Sequence, residues 1–264
     1  MTTPSVFVHR ITRAIFAVMA FLLCPFVAHS AIVREAVVPA YFYPSPNSTA
    51  WASLNVLAKK MPTTAIVNPN SGPGTAPDQN YVKAIANLHA SGGTVIAYVS
   101  SSYGNRRLSD VTKDINTYLA LYKVDGFFID EMTNDSTAAH IQYYQSVYNY
   151  IKGLSPKYTV TGNPRTNVPE RYLTLPLADK FVTFEDTLQR FKRQVVPAWQ
   201  GNYPAARFIS IVHTSPRSNM AAVMKINSMR GIGGLFVTTL GMPDPYFKLP
   251  ANWGLDMAIA LSLQ

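Results

Sequence analysis

Acidic residues and cysteine are both scarce in this sequence. Its 264 residues hold 14 Asp and Glu against 23 Lys and Arg, with a single cysteine, Cys24. One cysteine cannot build a disulfide framework, so the fold must be held by a buried core. Long apolar runs are scarce as well. The exception, "AIFAVMAFLLCPFVA", follows Arg10 and Arg13, precedes the small-residue stretch "AHSA" and falls short of the roughly 20 residues of a membrane span. It reads as a secretory signal peptide over residues 1–30, cleaved after Ser30, which implies a secreted protein, or a periplasmic one in a bacterial host. Leu23 occupies the place where a lipoprotein signal needs a small residue, so no lipid anchor on Cys24 and no membrane attachment after cleavage is expected.

Cleavage would remove two basic residues, no acids and the cysteine, leaving 234 residues with 21 basic and 14 acidic side chains, a net +7. That charge is scattered, with "RR" at 106–107 and "RFKR" at 190–193 as the clusters, and it argues for a solvated basic surface over a nucleic-acid stripe. Histidine is sparse too: His89, His140 and His213 remain after cleavage, too few and too dispersed for a metal centre. The glycine-rich "NSGPGT" lacks the G-x-G-x-x-G spacing of a dinucleotide loop. No metal or other cofactor is implied, and a monomer is expected. Asn47-Ser48-Thr49 and Asn134-Asp135-Ser136 match the N-glycosylation sequon, which matters only in a eukaryotic host.

What is present is a repeated unit over residues 31–264: a short β-branched or aromatic run, a polar loop, then helical spacing. "VVPAYFYP", "TTAIVNP", "TVIAYVSS", "GFFIDE", "YTVTGNP", "KFVTFED", "FISIVHTS" and "GGLFVTT" are eight strand candidates. Tyr81, Ile85 and Leu88 lay an apolar stripe on a helix after the second strand. Val111, Ile115, Leu119 and Tyr122 do so after the third, with Ser109 or Asp110 as the expected N-cap. After the fourth, Ile141, Tyr144, Val147, Tyr148 and Ile151 repeat the pattern, with Gly153 and Pro156 expected to end the helix, and Pro197 interrupts the helix after the sixth. Near-continuous apolar strands alternating with amphipathic helices call for a parallel sheet covered by helices, and eight units in this length predict a single-domain α/β (β/α)8 TIM barrel.

In such a barrel the chemistry sits where the strands' carboxyl ends meet. Read there, the strand ends are Tyr43, Asn68, Ser100, Asp130 with Glu131, Asn163, Glu185 with Asp186, His213 and Thr238. Two carboxylate pairs at the ends of apolar strands are unexpected in a chain so poor in acids, because an ionised carboxylate beside apolar walls is costly without a partner or a task. The structural alternatives are that Asp130 or Asp135 caps the following helix, or that the acids pair with nearby Arg or Lys. Two carboxylates from different strands facing each other are what glycosidic cleavage needs, one attacking the anomeric carbon and the other protonating the leaving oxygen. Candidate sugar-binding groups are the amides Asn68, Asn70 and Asn163, each before or beside a proline, with Asp186 and His213. Tyr41, Tyr43, Tyr98, Tyr103 and Trp253 are the aromatic candidates, and of these Tyr43 and Trp253 are chosen as stacking faces.

Taken in order, "VVPAYFYPS", a following Trp, "IVNPNSGPG" with D-x-N-Y after it, "VIAYVSSSYG", "GFFIDEM", "TGNP" and "TFED" resemble the spherulin-type family, spherulation-specific family 4. The resemblance runs from about residue 37 to Trp253. It implies a (β/α)8 glycoside hydrolase, endo-acting on α-1,4-linked N-acetylgalactosamine in secreted galactosamine-containing polysaccharide. It also implies that the important acids fall on Asp130, Glu131 and Glu185, leaving the role of Asp186 open. The alternative is a non-catalytic polysaccharide-binding protein on the same scaffold.

Overall fold

A computed structural model describes Met1, residues 35–250 and residues 252–262. The expected signal peptide lies outside the described residues. Eight parallel strands close into a barrel in chain order: β1 (Glu35–Ala40), β2 (Thr63–Val67), β3 (Thr94–Ser100), β4 (Gly126–Asp130), β5 (Thr159–Gly162), β6 (Lys180–Thr187), β7 (Phe208–His213) and β8 (Gly234–Val237). β1 closes on β8 through Glu35 opposite Gly234 and Ala36 opposite Leu235. The expected TIM barrel is therefore the observed fold.

Helices α1 (Thr49–Ala58), α2 (Gln79–Ala90), α3 (Leu108–Leu121), α4 (Ala138–Leu154), α5 (Arg171–Thr174), α6 (Leu188–Arg193), α7 (Met220–Met229) and α8 (Trp253–Ser262) alternate with the strands. Each longer helix buries one stripe: Tyr81, Ala84, Ile85 and Leu88 on α2, for example, and Ile141, Tyr144, Val147 and Ile151 on α4. Ser48 and Asp78 cap α1 and α2 by accepting backbone N–H groups of the first turn. α3 begins earlier than expected: Arg107 is its N-cap, without a side-chain bond, and Ser109 and Asp110 lie inside its first turn. α4 likewise runs through Gly153 to Leu154, because extended backbone begins only at Ser155. The N-cap of α4 is Thr137, whose hydroxyl accepts the His140 N–H, and Asp135, considered for that role, instead braces the cap from two residues before it by accepting the Thr137 N–H and meeting the His140 ring. α6 stops at Arg193, before Pro197, and single 3-10 turns lead into β7.

The barrel floor is polar. Glu35 accepts the Thr64 hydroxyl at 2.6 Å and pairs with Lys180 from the far side, beside a cavity of about 90 Å³ that Thr94, Thr159 and Thr161 also line. Because the pair is only partly screened, removing one partner strands the other charge inside the barrel. Lys180→Met is expected to lower stability by about 1–3 kcal/mol in urea unfolding, and the double variant Glu35→Gln, Lys180→Met to recover much of that loss.

Candidate active site

Strand parity decides which side chains enter the barrel mouth. Ile96, Tyr98 and Ser100 of β3 register with Gly126, Phe128 and Asp130 of β4, so Tyr98, Ser100 and Asp130 share the inner face. On β5 the same face carries Thr159, Thr161 and then Asn163 just past the strand. Asn163 is fixed on both sides: its N–H donates to the Ile129 carbonyl, and its own carbonyl accepts from Met132 N–H.

β6 departs from regular alternation. Phe181 packs on Tyr172 of α5 and Phe184 on Phe191 of α6, so two residues three apart both face outward. The pairing with β7 shifts between Val182 and Phe184, a bulge that reverses the parity. Without it, alternation from inward Lys180 would bring Asp186 inside; with it, Glu185 enters the mouth. Asp186 turns outward to Arg190 (3.1 Å) and to the Thr187 N–H (2.6 Å), which corrects its placement as a substrate-binding residue.

The inward groups converge on Asn163. Its Nδ2 donates to Asp130 Oδ1 at 2.8 Å and to Glu185 Oε2 at 2.7 Å, while its Oδ1 accepts the Arg165 N–H at 3.1 Å. That third bond sets the amide's orientation, since only the nitrogen side can then meet the acids. The other oxygen of Glu185 accepts the Tyr246 hydroxyl at 2.8 Å and pairs with Arg165 at 3.3 Å. Asp130 titrates near 6, above the usual aspartate range, raised first by burial and then by the charge of Glu185. Tyr98 faces Asp130, and Tyr41 stands edge-on between Tyr98 and Tyr246, with both centroid distances 5.8 Å. Burial and the adjacent carboxylates raise all three phenols above the ordinary tyrosine range, so they stay neutral donors.

Glu131 follows Asp130 but leaves the strand with φ 54°, a left-handed turn for a non-glycine residue. The turn carries its carboxylate to the Ser100 hydroxyl (2.5 Å) at the β3 rim, and its carbonyl accepts from Tyr103 N–H. All seven non-glycine residues with positive φ among the described residues, from Ser71 to Asn252, lie in loops after strand carboxyl ends. Backbone strain of this kind clusters where a site must hold its geometry.

The other sequence candidates separate into near and far. His213 lies on the inner face of β7, buried, with Nδ1 against the Thr214 hydroxyl at 3.0 Å; burial lowers its pKa and favours the neutral ring. Asn68 Oδ1 accepts the Gly72 N–H, and the Asn70 N–H binds the Gly72 carbonyl, so both shape the loop after β2 and neither contacts the acids. Tyr43 is exposed at the rim, held by Asp78 and Asn80 away from the acids. Trp253 is the clear correction: it is 1% exposed, packs on Phe236 and donates its indole N–H to the Val237 carbonyl. A ring sealed into the α8 core cannot stack on a sugar. Arg165 and Tyr246 were not anticipated. Strand parity picks out Tyr98, which shares the inner face with Asp130, but it cannot separate Tyr41 from Tyr43, which have the same parity, and Tyr246 sits in a loop with no periodic signal.

The model of spherulation-specific family 4 matches residues 35–259. The chain belongs to that family. Spherulin-4 of Physarum polycephalum is 34% identical over an alignment of 214 residues that covers 76% of this chain and 62% of that protein, so the match leaves more than a third of the relative uncovered. Sph3 of Aspergillus clavatus, whose crystal structure holds GalNAc, superposes with TM-score 0.75 at 27% identity, covering 88% of this chain and 99% of that one. A chitinase domain from Pyrococcus furiosus, at 10% identity and TM-score 0.53 over 88% of this chain and 96% of its own, shares the fold. The family-4 barrel is thus built on a scaffold that also carries glycoside hydrolases. Among the described residues there is no cluster of three potential metal-binding side chains and no helix long and apolar enough to cross a membrane.

Proposed function

We propose that this family-4 protein is a secreted, endo-acting glycoside hydrolase that cleaves α-1,4-linked N-acetylgalactosamine or galactosamine in polysaccharide, with retention of configuration. The observation that carries the proposal is the single amide nitrogen shared by Asp130 and Glu185. The two oxygens it bridges lie no farther apart than the sum of its bonds, about 5.5 Å, and acids whose nearest oxygens come this close suit a retaining pair, which needs no room for a water between them. GalNAc bound to Sph3 supports the sugar class.

In this reading Asp130 attacks the anomeric carbon while Glu185 protonates the leaving oxygen, and Glu185 then activates the water that frees the product. An α-linked 2-acetamido group lies on the leaving-group side and cannot attack from behind, so an enzyme nucleophile is required. Glu131, hydrogen-bonded to Ser100, holds a sugar hydroxyl or tunes Asp130 from the rim.

The test is digestion of a galactosaminogalactan polymer, followed by reducing-end release, mass spectrometry of the products and NMR of the first-formed anomer. Cleavage giving the α-anomer is expected; binding without new reducing ends would make the protein a non-catalytic binder. Because Asp130 must be ionised to attack, kcat/KM is expected to fall as pH drops through about 6. A rate that stays level down to pH 4 would exclude Asp130 as the nucleophile.

A further inference from the structure

Each carboxyl of the pair has its own tyrosine. Tyr246 donates to Glu185 Oε1, the hydroxyl of Tyr98 faces Asp130, and Tyr41 braces both rings edge-on at 85° and 88°. Tyr246 arrives from the loop after β8, 61 residues from Glu185 in sequence, and its ring also rests on Phe236 of the barrel. With Tyr246 and Arg165 both on Oε1, the oxygen left to carry a proton is Oε2, which faces Asp130 across the Asn163 amide.

We infer that Tyr246 is a positioning residue that directs the transferable proton of Glu185 to Oε2, and that Tyr98 is a positioning residue whose hydroxyl holds Asp130 as the carboxylate that attacks. The inference rests on the reading of Glu185 as the proton donor. A hydroxyl donating to a carboxylate favours its ionised form, so deleting it raises that carboxyl's proton affinity and leaves the more distant carboxyl little changed. The other groups facing Glu185 are Asp130 from β4, Arg165 after β5, His213 from β7 and Tyr41 after β1. Asp130 is faced by Glu185, Tyr41, Tyr98, Arg165 and Tyr246. All of these remain in place in either phenylalanine variant, apart from the deleted hydroxyl.

Carbon-13 carboxyl NMR titration of wild type, Tyr246→Phe and Tyr98→Phe reads this without substrate. Tyr246→Phe is expected to move the Glu185 midpoint up by about one pH unit and leave that of Asp130 nearly unchanged; Tyr98→Phe is expected to do the reverse. On polymer, Tyr246→Phe should lower kcat with KM nearly constant and move the alkaline limb of the pH profile upward. If Glu185 does not move in Tyr246→Phe, or both carboxyls move together in either variant, the inference is wrong. A wild-type protein that cleaves no polymer would instead count against the proposed activity, while the titration still decides the tyrosine roles.

Discussion

Asp130→Asn is expected to abolish cleavage and to make the protein more stable at pH 7. The activity loss follows from removing the attacking oxygen: kcat/KM should fall by at least about 10³-fold, or about 4 kcal/mol of barrier. The stability gain follows from linkage. Unfolded, this carboxyl loses its proton near 3.8; folded, it does so only near 6, because burial and then the charge of Glu185 oppose ionisation. A raised carboxyl pKa means that the fold is favoured while the group is protonated, and that this advantage is lost as pH rises through about 6. At pH 7 the ionised Asp130 therefore costs the native state up to about 3 kcal/mol, and asparagine removes that cost while keeping the shape and an acceptor for Asn163. Urea unfolding at pH 7 should show Asp130→Asn above wild type, with the gap narrowing as pH falls through 6 and closing towards 3.8. Loss of activity together with loss of stability would contradict this account of Asp130.

Gly126→Ala is the second large expected effect, and it acts on the fold. A Cβ at Gly126 would lie 2.1 Å from the Thr159 carbonyl oxygen and 2.7 Å from its nitrogen, and both atoms are backbone. No rotamer change relieves such a contact; β4 and β5 would have to separate. Overpacking usually costs about 1–3 kcal/mol, and a clash with paired backbone belongs at or above the top of that range. Since β4 ends in Asp130 and β5 leads to Asn163, any residual folded protein should also show weakened activity as the amide loses its grip on the two acids. Thermal unfolding and soluble yield measure the first effect. A wild-type melting temperature would mean that the strands part more readily than this geometry indicates.

Neighbouring acids at the strand ends are separated only by the local backbone. "DGFFIDEM" and "KFVTFEDT" both end apolar strands in two acids, and the strand-end rule brings out all four. In β4 regular alternation selects Asp130, and its neighbour escapes the rule because the chain turns left-handed at Glu131. In β6 the same alternation, applied from Lys180, selects the wrong acid, because the bulge after Val182 exchanges the inward places of Glu185 and Asp186. Such a bulge has no composition signature in this strand. Trp253 fails for a different reason: an aromatic in the last connection looks free to stack, but burying its large apolar area against Phe236, with Val237 accepting its N–H, is the more favourable use.

The sequence by itself determined the eight-unit barrel, the helix stripes and the strands that lead to Asp130, Asn163 and Glu185, because these rest on periodicity and local turn chemistry, while the family was carried by the resemblance of its ordered motifs. Only the tertiary structure decided that Asn163 joins the two carboxyls, that Asp186 faces out, that Glu131 turns to Ser100 and that Tyr246 and Arg165 close on Glu185. Those contacts depend on barrel closure, on one bulge and on strained rim residues, which bring together groups far apart in the chain. Their spacing along the sequence obeys no period.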